Sequence, residues 1–494
     1  MDEIKDQIMD EITEKILSLF REISSVPRCS GHEEKMAIWL KEWALSRGFS
    51  VKSDSVNNIV IQIPPSEGYE KMPAVVIQGH MDMVCEKTPS ASHDFSKDAI
   101  IPVVHGQWLK AQDTTLGADN GIGIAIALAI AEDTNICHPP LELLFTVDEE
   151  TGLTGANALM PGFITGKLLL NLDSEEEGVF IIGCAGGLST TISMSLEYSE
   201  PLDDALRLRL VVDGLCGGHS GINIHERRAN ANKILAAALK ALLDATDIYI
   251  VDIEGGSAHN AIARYAEATI ILSEDSLKTS YSLISEFEDR MRSDYAEFEP
   301  SLSISLQKSR KQSKSQSKTM AINNECACRA VGLLNALPHG VLSMSSQIPG
   351  HVQTSANLAT VKIERGKLLI VSSQRSSLES ELMQTTDKIT SVALEYAATF
   401  SNHSAYPPWQ PDMSSKLLQR CKDIYKSVFE EEAKSEFIHA GLECAVIGWK
   451  YADMDMMSFG PTIKDPHSPD ERLYIPSVRK VWDFLVPLLA SFRE

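Results

Sequence analysis

Four short segments of this 494-residue chain carry the side chains that chemistry needs. His80 stands in QGHMDMV, directly after the apolar run 74–78. Glu149 and Glu150 stand in TVDEETG after the run 141–147, and Asp173 stands in LNLDSEE after the run 167–172. Each run is short and rich in Val, Ile and Leu, the pattern of a strand buried in a mostly parallel sheet. In open sheets of that kind, ligands gather outside the carboxyl ends of the strands. Three strands therefore deliver an imidazole or a carboxylate to one edge. Asp119, in LGADNGIG, adds a fourth position just ahead of an Ala- and Ile-rich helix over 121–132, whose N-terminal dipole favours an anion. Singly, each has a plain reading: a surface histidine, a helix N-cap at Asp119, a solvated turn at Glu149–Glu150. Their convergence, with glycine beside three of them, points to a metal site. Imidazole with carboxylates suits zinc, manganese or cobalt better than it suits calcium or magnesium, which take all-oxygen sets.

The elements that must position these groups alternate in type. Residues 3–24 and 33–47 have helical amphipathic spacing, and Ser30 with Glu33 suggests a capping box for the second helix. Strand-like runs at 58–63, 74–78, 141–147 and 167–172, with the helix 121–132 between them, give the α/β pattern. Past residue 186 the texture changes to a strand at 206–212, an Ala-rich helix at 228–243 and strands at 247–253 and 266–272. A second set of segments follows at 326–333, 340–346, 357–364 and 367–373, then a long helix over 376–399, suggesting two similar α/β halves. The basic stretch 307–319 (QKSRKQSKSQSKT) reads as a solvated loop rather than a nucleic-acid arm. Compact texture returns after residue 400, with a helix at 415–429 and a strand-like run at 444–449.

A formal net charge of −23 disfavours nucleic acid and anionic membrane as partners. The most apolar stretch, 122–131, falls short of the roughly 20 residues a membrane helix needs, and the N-terminus has no signal-peptide pattern. Nine cysteines without regular spacing read as reduced thiols of a cytoplasmic protein.

The phrases QGHMDMV, GADNGIG, TVDEETGLTGA, LNLDSEE, CGGHSG, SAHNAIAR, HAGLEC and GPTIKDPHSPDER occur in that order. Together they resemble the co-catalytic dinuclear zinc peptidases, and among these the aminoacyl-histidine (Xaa-His) dipeptidases, over almost the whole chain. The resemblance implies two divalent cations, zinc first with manganese or cobalt as alternatives. It implies that Asp119 bridges them, that His80 and Asp173 complete one site, and that Glu150 and His467 complete the other. Glu149 becomes the general base for a metal-activated water, and Asp82 orients His80. The peptide bond between Asp119 and Asn120 is expected to be cis. His219 is implied as a donor to the tetrahedral oxyanion, Arg375 as the clamp for a substrate carboxylate, and Asn260 and Gly441 as substrate-binding positions. Ala445 departs from the glycine usual after HAGLEC, which bears on specificity. The implied architecture is a hydrolase-like catalytic α/β domain over 1–186 and 397–494, with an inserted lid over 187–396 that closes on the substrate. The implied substrate is a small peptide of the Xaa-His type, including β-Ala-His, cut by a monomer or homodimer. An N-acyl amino acid deacylase or a carboxypeptidase on the same fold is the alternative.

Overall fold

The computed structural model describes residues 10–201, 205–308, 320–346, 348 and 350–493. Most of the basic stretch (309–319) and the first residues of the N-terminal helix (3–9) lie outside the described residues. The chain forms two compact units: residues 1–184 with 409–437 and 442–494, and residues 185–408 with 438–441.

The first unit is built on an eight-stranded sheet whose neighbours run 50–53, 59–63, 141–146, 75–80, 168–171, 455–458, 179–184 and 434–438. Its centre is parallel: Val75–His80 pairs in parallel with Leu141–Thr146 and with Leu168–Asn171, which pairs likewise with Asp455–Ser458. Antiparallel strands flank that centre. Every residue of Val75–His80 and Leu141–Thr146 is buried, which explains why these runs lack polar alternation. The helix Ala118–Glu132 is buried from Ala118 to Ile130 and is apolar on all sides, as a helix sunk in a core must be. Asp10 caps the helix Glu11–Ser24 through the amides of Ile12 and Thr13, and that helix buries Ile16, Leu17, Phe20 and Ile23. A four-stranded antiparallel sheet joins Ile463–Lys464 and Arg472–Tyr474 to Val103–His105 and Trp108–Lys110, and so holds the loop that carries His467.

The second unit is built on a nine-stranded antiparallel sheet with two similar four-stranded halves, the ninth strand, Gly340–Met344, pairing with Val352–Glu364. In one half the strands stand in the order 303–308, 206–213, 266–272, 248–255; in the other, read from its outer edge, 399–406, 186–195, 367–376, 352–364. Numbered along the chain within each half, both orders are fourth, first, third, second. The halves join where Glu254 and Gly255 pair with Lys362 and Val361. One half is nested inside the other, because Gly186–Ser195 belongs with strands made more than a hundred residues later. The strand Thr399–Tyr406, beyond the boundary at 396, pairs with Gly186–Ser195 inside this unit.

Four expectations change. Residues 443–450 form a helix and not a strand, with Ala445 buried inside it; a short apolar run alone does not separate the two. The segment 326–333 likewise lies in the helix Asn324–Ala336, capped by Asn323. No capping box forms at Glu34–Ser46, since Ser30 and Glu33 are drawn to the site described below. The cysteines are not all free: Cys29 and Cys85 are disulfide-bonded, brought together by a bridge between Cys29 and Met83 that their separation of 56 residues conceals. Among the described residues, no helix is long and apolar enough to cross a membrane.

Candidate metal centre

The four central parallel strands end at the same edge, and each feeds a candidate ligand into it. His80 is the last residue of its strand. Glu149 and Glu150 open the short helix after Leu141–Thr146, Asp173 follows Leu168–Asn171, and His467 lies in the loop beyond Asp455–Ser458. Asp119 stands between the two imidazoles with one oxygen toward each: Oδ1 is 3.0 Å from His80 Nε2 and Oδ2 is 3.2 Å from His467 Nε2. His80 Nε2 also lies 3.3 Å from Asp173 Oδ1, and His467 Nε2 lies 3.0 Å from Glu150 Oε1. Two three-ligand sets result, His80–Asp119–Asp173 and Asp119–Glu150–His467, with ligand atoms within 4.8 Å of one another in each.

The residues fit two metal ions. Glu150 Oε1 and Asp173 Oδ1 are buried without a hydrogen bond, each aimed at an imidazole nitrogen. Buried carboxylate oxygens are normally satisfied, so an orphaned pair facing imidazole nitrogens is a cradle for cations. The protonation preferences agree. Burial would lower the pKa of His467, yet Asp119 and Glu150 lift it to about 11, and burial raises Glu150 to about 7. Protons thus collect where positive charge is wanted.

The peptide bond between Asp119 and Asn120 is cis. Asn120 Nδ2 donates to the carbonyl of Leu172, 2.6 Å away, tying this turn to the residue before Asp173. Asp82 does more than face His80 Nδ1 at 3.2 Å. Its Oδ1 accepts the amide of Glu149 at 3.0 Å, and its Oδ2 accepts the amide of Glu150 at 3.2 Å and the hydroxyl of Ser30 at 2.8 Å. Glu33 Oε1 accepts the amides of Gly31 and Asp148 at 2.7 and 3.1 Å. The pair that looks like a capping box therefore steadies the loop bearing both glutamates.

Within the second unit, His219 Nδ1 accepts the amides of Gly221 and Ile222 at 3.2 and 3.1 Å, which places the ring proton on Nε2. The Asn260 loop is bonded to it, the Ser220 amide donating to Asn260 O at 2.7 Å. Arg375 is buried and donates from Nη1 to the Tyr406 hydroxyl at 2.7 Å; among the described residues no carboxylate pairs with it. A side chain at Gly441 would meet the Tyr406 ring at 2.8 Å, so the space that glycine leaves is filled by Tyr406.

Residues 212–299 match the M20 peptidase dimerisation domain. Over 471 residues the chain is 38% identical to the cytosol non-specific dipeptidase of Escherichia coli (strain K12), covering 95% of this chain and 96% of that one. The chain belongs to the M20 dipeptidase family. It is also 36% identical to the aminoacylhistidine dipeptidase of Vibrio alginolyticus, whose crystal structure superposes with a TM-score of 0.83 over 98% of this chain and 99% of that one. The aminopeptidase PepT of Bacillus cereus, 15% identical with a TM-score of 0.56 over 98% and 99% of the two chains, shares the fold alone.

Several residues of this M20 family member that shape the site are not legible in its sequence. Glu443 is fully buried and accepts from Gln78 Nε2 and Thr146 Oγ1, both at 2.6 Å, while Asn171 Nδ2 donates to Gln78 Oε1 at 2.6 Å. This polar layer under the strand ends ties three strands together by side chains. Burial raises Glu443 to about 8.

His439 has the opposite preference. It is buried with Nε2 2.7 Å from the Ser355 hydroxyl, and burial with Arg375, His219 and His225 nearby pushes its pKa down to about 3. An unfolded histidine titrates near 6.5, so below that pH the unfolded chain binds a proton that the folded unit refuses. Stability is accordingly expected to fall as pH drops below about 6.5 and to go on falling toward 3. Thermal midpoints recorded from pH 7 to pH 5 should decline, and less steeply in His439→Gln. Parallel slopes in the two proteins would remove His439 as a cause.

Proposed function

We propose that this chain is a metal-dependent dipeptidase that uses Glu149 as general base. One observation carries the reading: a single carboxylate, Asp119, addresses both imidazoles with separate oxygens, as a bridge between two cations requires. Zinc is the proposed ion, and manganese and cobalt suit the same donors. Two such ions would supply Lewis acidity and bring the pKa of a water toward neutrality. Glu149 takes the proton of the attacking water and hands it to the leaving amine, both jobs for one positioned carboxylate. Its carboxyl is suited to holding a proton: burial lifts its pKa well above the usual range, and although His80 opposes the rise, Glu150 and Asp173 add to it. Asp82 fixes the tautomer of His80 and the backbone of both glutamates.

His219, Asn260, Arg375 and Gly441 carry the substrate-binding roles. The tautomer of His219 puts its ring proton on Nε2, and Arg375 is a buried guanidinium that no carboxylate among the described residues pairs with. Arg375→Ala is expected to raise KM roughly ten- to hundredfold for dipeptides with a free carboxylate, the value of a charge-assisted pair. The same dipeptides amidated should change little. An equal loss on both would remove the clamp. A homodimer is the proposed assembly, from the matched dimerisation domain, and a cytosolic location follows the Escherichia coli relative.

The deciding experiment combines metal analysis with a substrate panel. The protein should bind two equivalents of metal and cleave free dipeptides, Ala-His and β-Ala-His among them. Chelator should abolish cleavage and added zinc restore it. Hydrolysis of N-acetyl amino acids in place of dipeptides would overturn the reading.

A further inference from the structure

The Asp119 turn is held by a residue that belongs to neither ligand set. Glu471 is 2% exposed and accepts the amides of Leu116 and Gly117 on Oε2 at 2.7 and 2.9 Å, and those of Ala118 and Asp119 on Oε1 at 2.8 and 3.3 Å. Four consecutive amides thus converge on one carboxylate. The same segment is also held by Arg28, likewise buried, whose Nη2 donates to Gly117 O at 2.5 Å. Its Nη1 donates to the carbonyls of Met81 and Asp82 at 3.1 and 3.0 Å. Gly117 has φ 68°, and a Cβ there would meet Arg28 Nη2 at 2.6 Å, so the grip needs glycine.

We propose that Glu471 is a positioning residue that sets where Asp119 presents its two oxygens, and with them the spacing of the two metal positions. It sits in the same loop as His467, four residues on, so one carboxylate couples the second histidine to the backbone of the bridging aspartate. Arg28 extends the coupling to the end of the His80 strand. Asp119 must satisfy both imidazoles at once, and a small rotation of residues 116–119 would help one at the expense of the other. This inference rests on the dinuclear reading given above.

Glu142 supplies the control. It is equally buried and accepts the amides of Thr165 and Gly166 at 2.7 and 2.9 Å, but at the start of Leu141–Thr146, the end of the strand away from the ligands. Apo protein is titrated with Co2+, and bound metal is counted by equilibrium dialysis beside the visible absorption of the loaded sites. Wild type takes up two equivalents. Glu471→Gln, which keeps the size and loses the charge, retains one and binds the other ten- to a hundredfold more weakly. Glu471→Asp recovers part of that loss. Glu142→Gln melts at lower temperature yet binds both ions as wild type does. On a cleaved dipeptide, Glu471→Gln lowers kcat with KM little changed. Two wild-type-like equivalents in Glu471→Gln, or equal weakening in Glu142→Gln, overturns the proposal alone. A single equivalent in wild type overturns the dinuclear reading and this inference with it.

Discussion

Glu149→Gln will keep its metal and lose its turnover. Glu149 belongs to neither of the ligand sets built on Asp119; among the described residues it shares a cluster only with His80 and Glu150. Its place in the loop is fixed by its backbone, whose amide donates to Asp82 Oδ1 at 3.0 Å, so changing the side chain leaves the loop anchored. What disappears is the proposed proton acceptor. A positioned acid–base group contributes about 10²–10⁴-fold, and in the proposed role one group serves two proton transfers, so kcat should fall by at least about 10³. Elemental analysis beside a dipeptide assay decides it. Loss of an equivalent of metal would make Glu149 a ligand, and activity above about a tenth of wild type would end its role as base.

Asp119→Asn is expected to have an effect of similar size by a different route. The amide matches the carboxylate in shape, and Glu471 still holds the backbone around it. One oxygen facing an imidazole becomes NH2, and the charge shared by the two ligand sets is gone. Bound metal should drop from two equivalents to one or fewer. Losing about 4 kcal/mol of charge stabilisation corresponds to roughly a thousandfold in rate. Here, unlike at Glu149, lost metal and lost activity should coincide, and added metal should restore neither. Full metal content with full activity would mean that the two sets do not share this residue.

The strand-end candidate ligands were legible because the sheet centre is buried on both faces. A strand of that kind is a mostly apolar run without polar alternation, and His80 at the end of one such strand and Asp173 two residues past another mark the candidate ligand edge. His467 carries no such mark. It follows its strand by a long loop, at φ 60°, and only the ordered motifs of the resemblance pointed to it. Glu471 is hidden further, since Asp and Glu in a Ser- and Pro-containing turn read as solvated, and nothing local says that four amides converge there. Ser30 and Glu33 misled for a physical reason. A serine and a glutamate three apart before a helix satisfy the capping pattern, yet the distant carboxylate of Asp82 and the distant amide of Asp148, with the nearby amide of Gly31, compete for the same oxygens and win. The two similar halves were visible in texture, but not their nesting, because strand pairing across so long a separation leaves no local trace.

That nesting has a consequence for how the chain is made. Gly186–Ser195 leaves the ribosome with neither of its neighbours in existence: Lys367–Ser376 and Thr399–Tyr406 are translated only after the whole other half has emerged. The interposed half holds all four of its own strands and can close on itself first, while the earlier strand waits with its backbone amides and carbonyls unpaired. A nascent chain halted before residue 367 therefore offers a ready sticky edge to any chaperone, or to another nascent chain beside it.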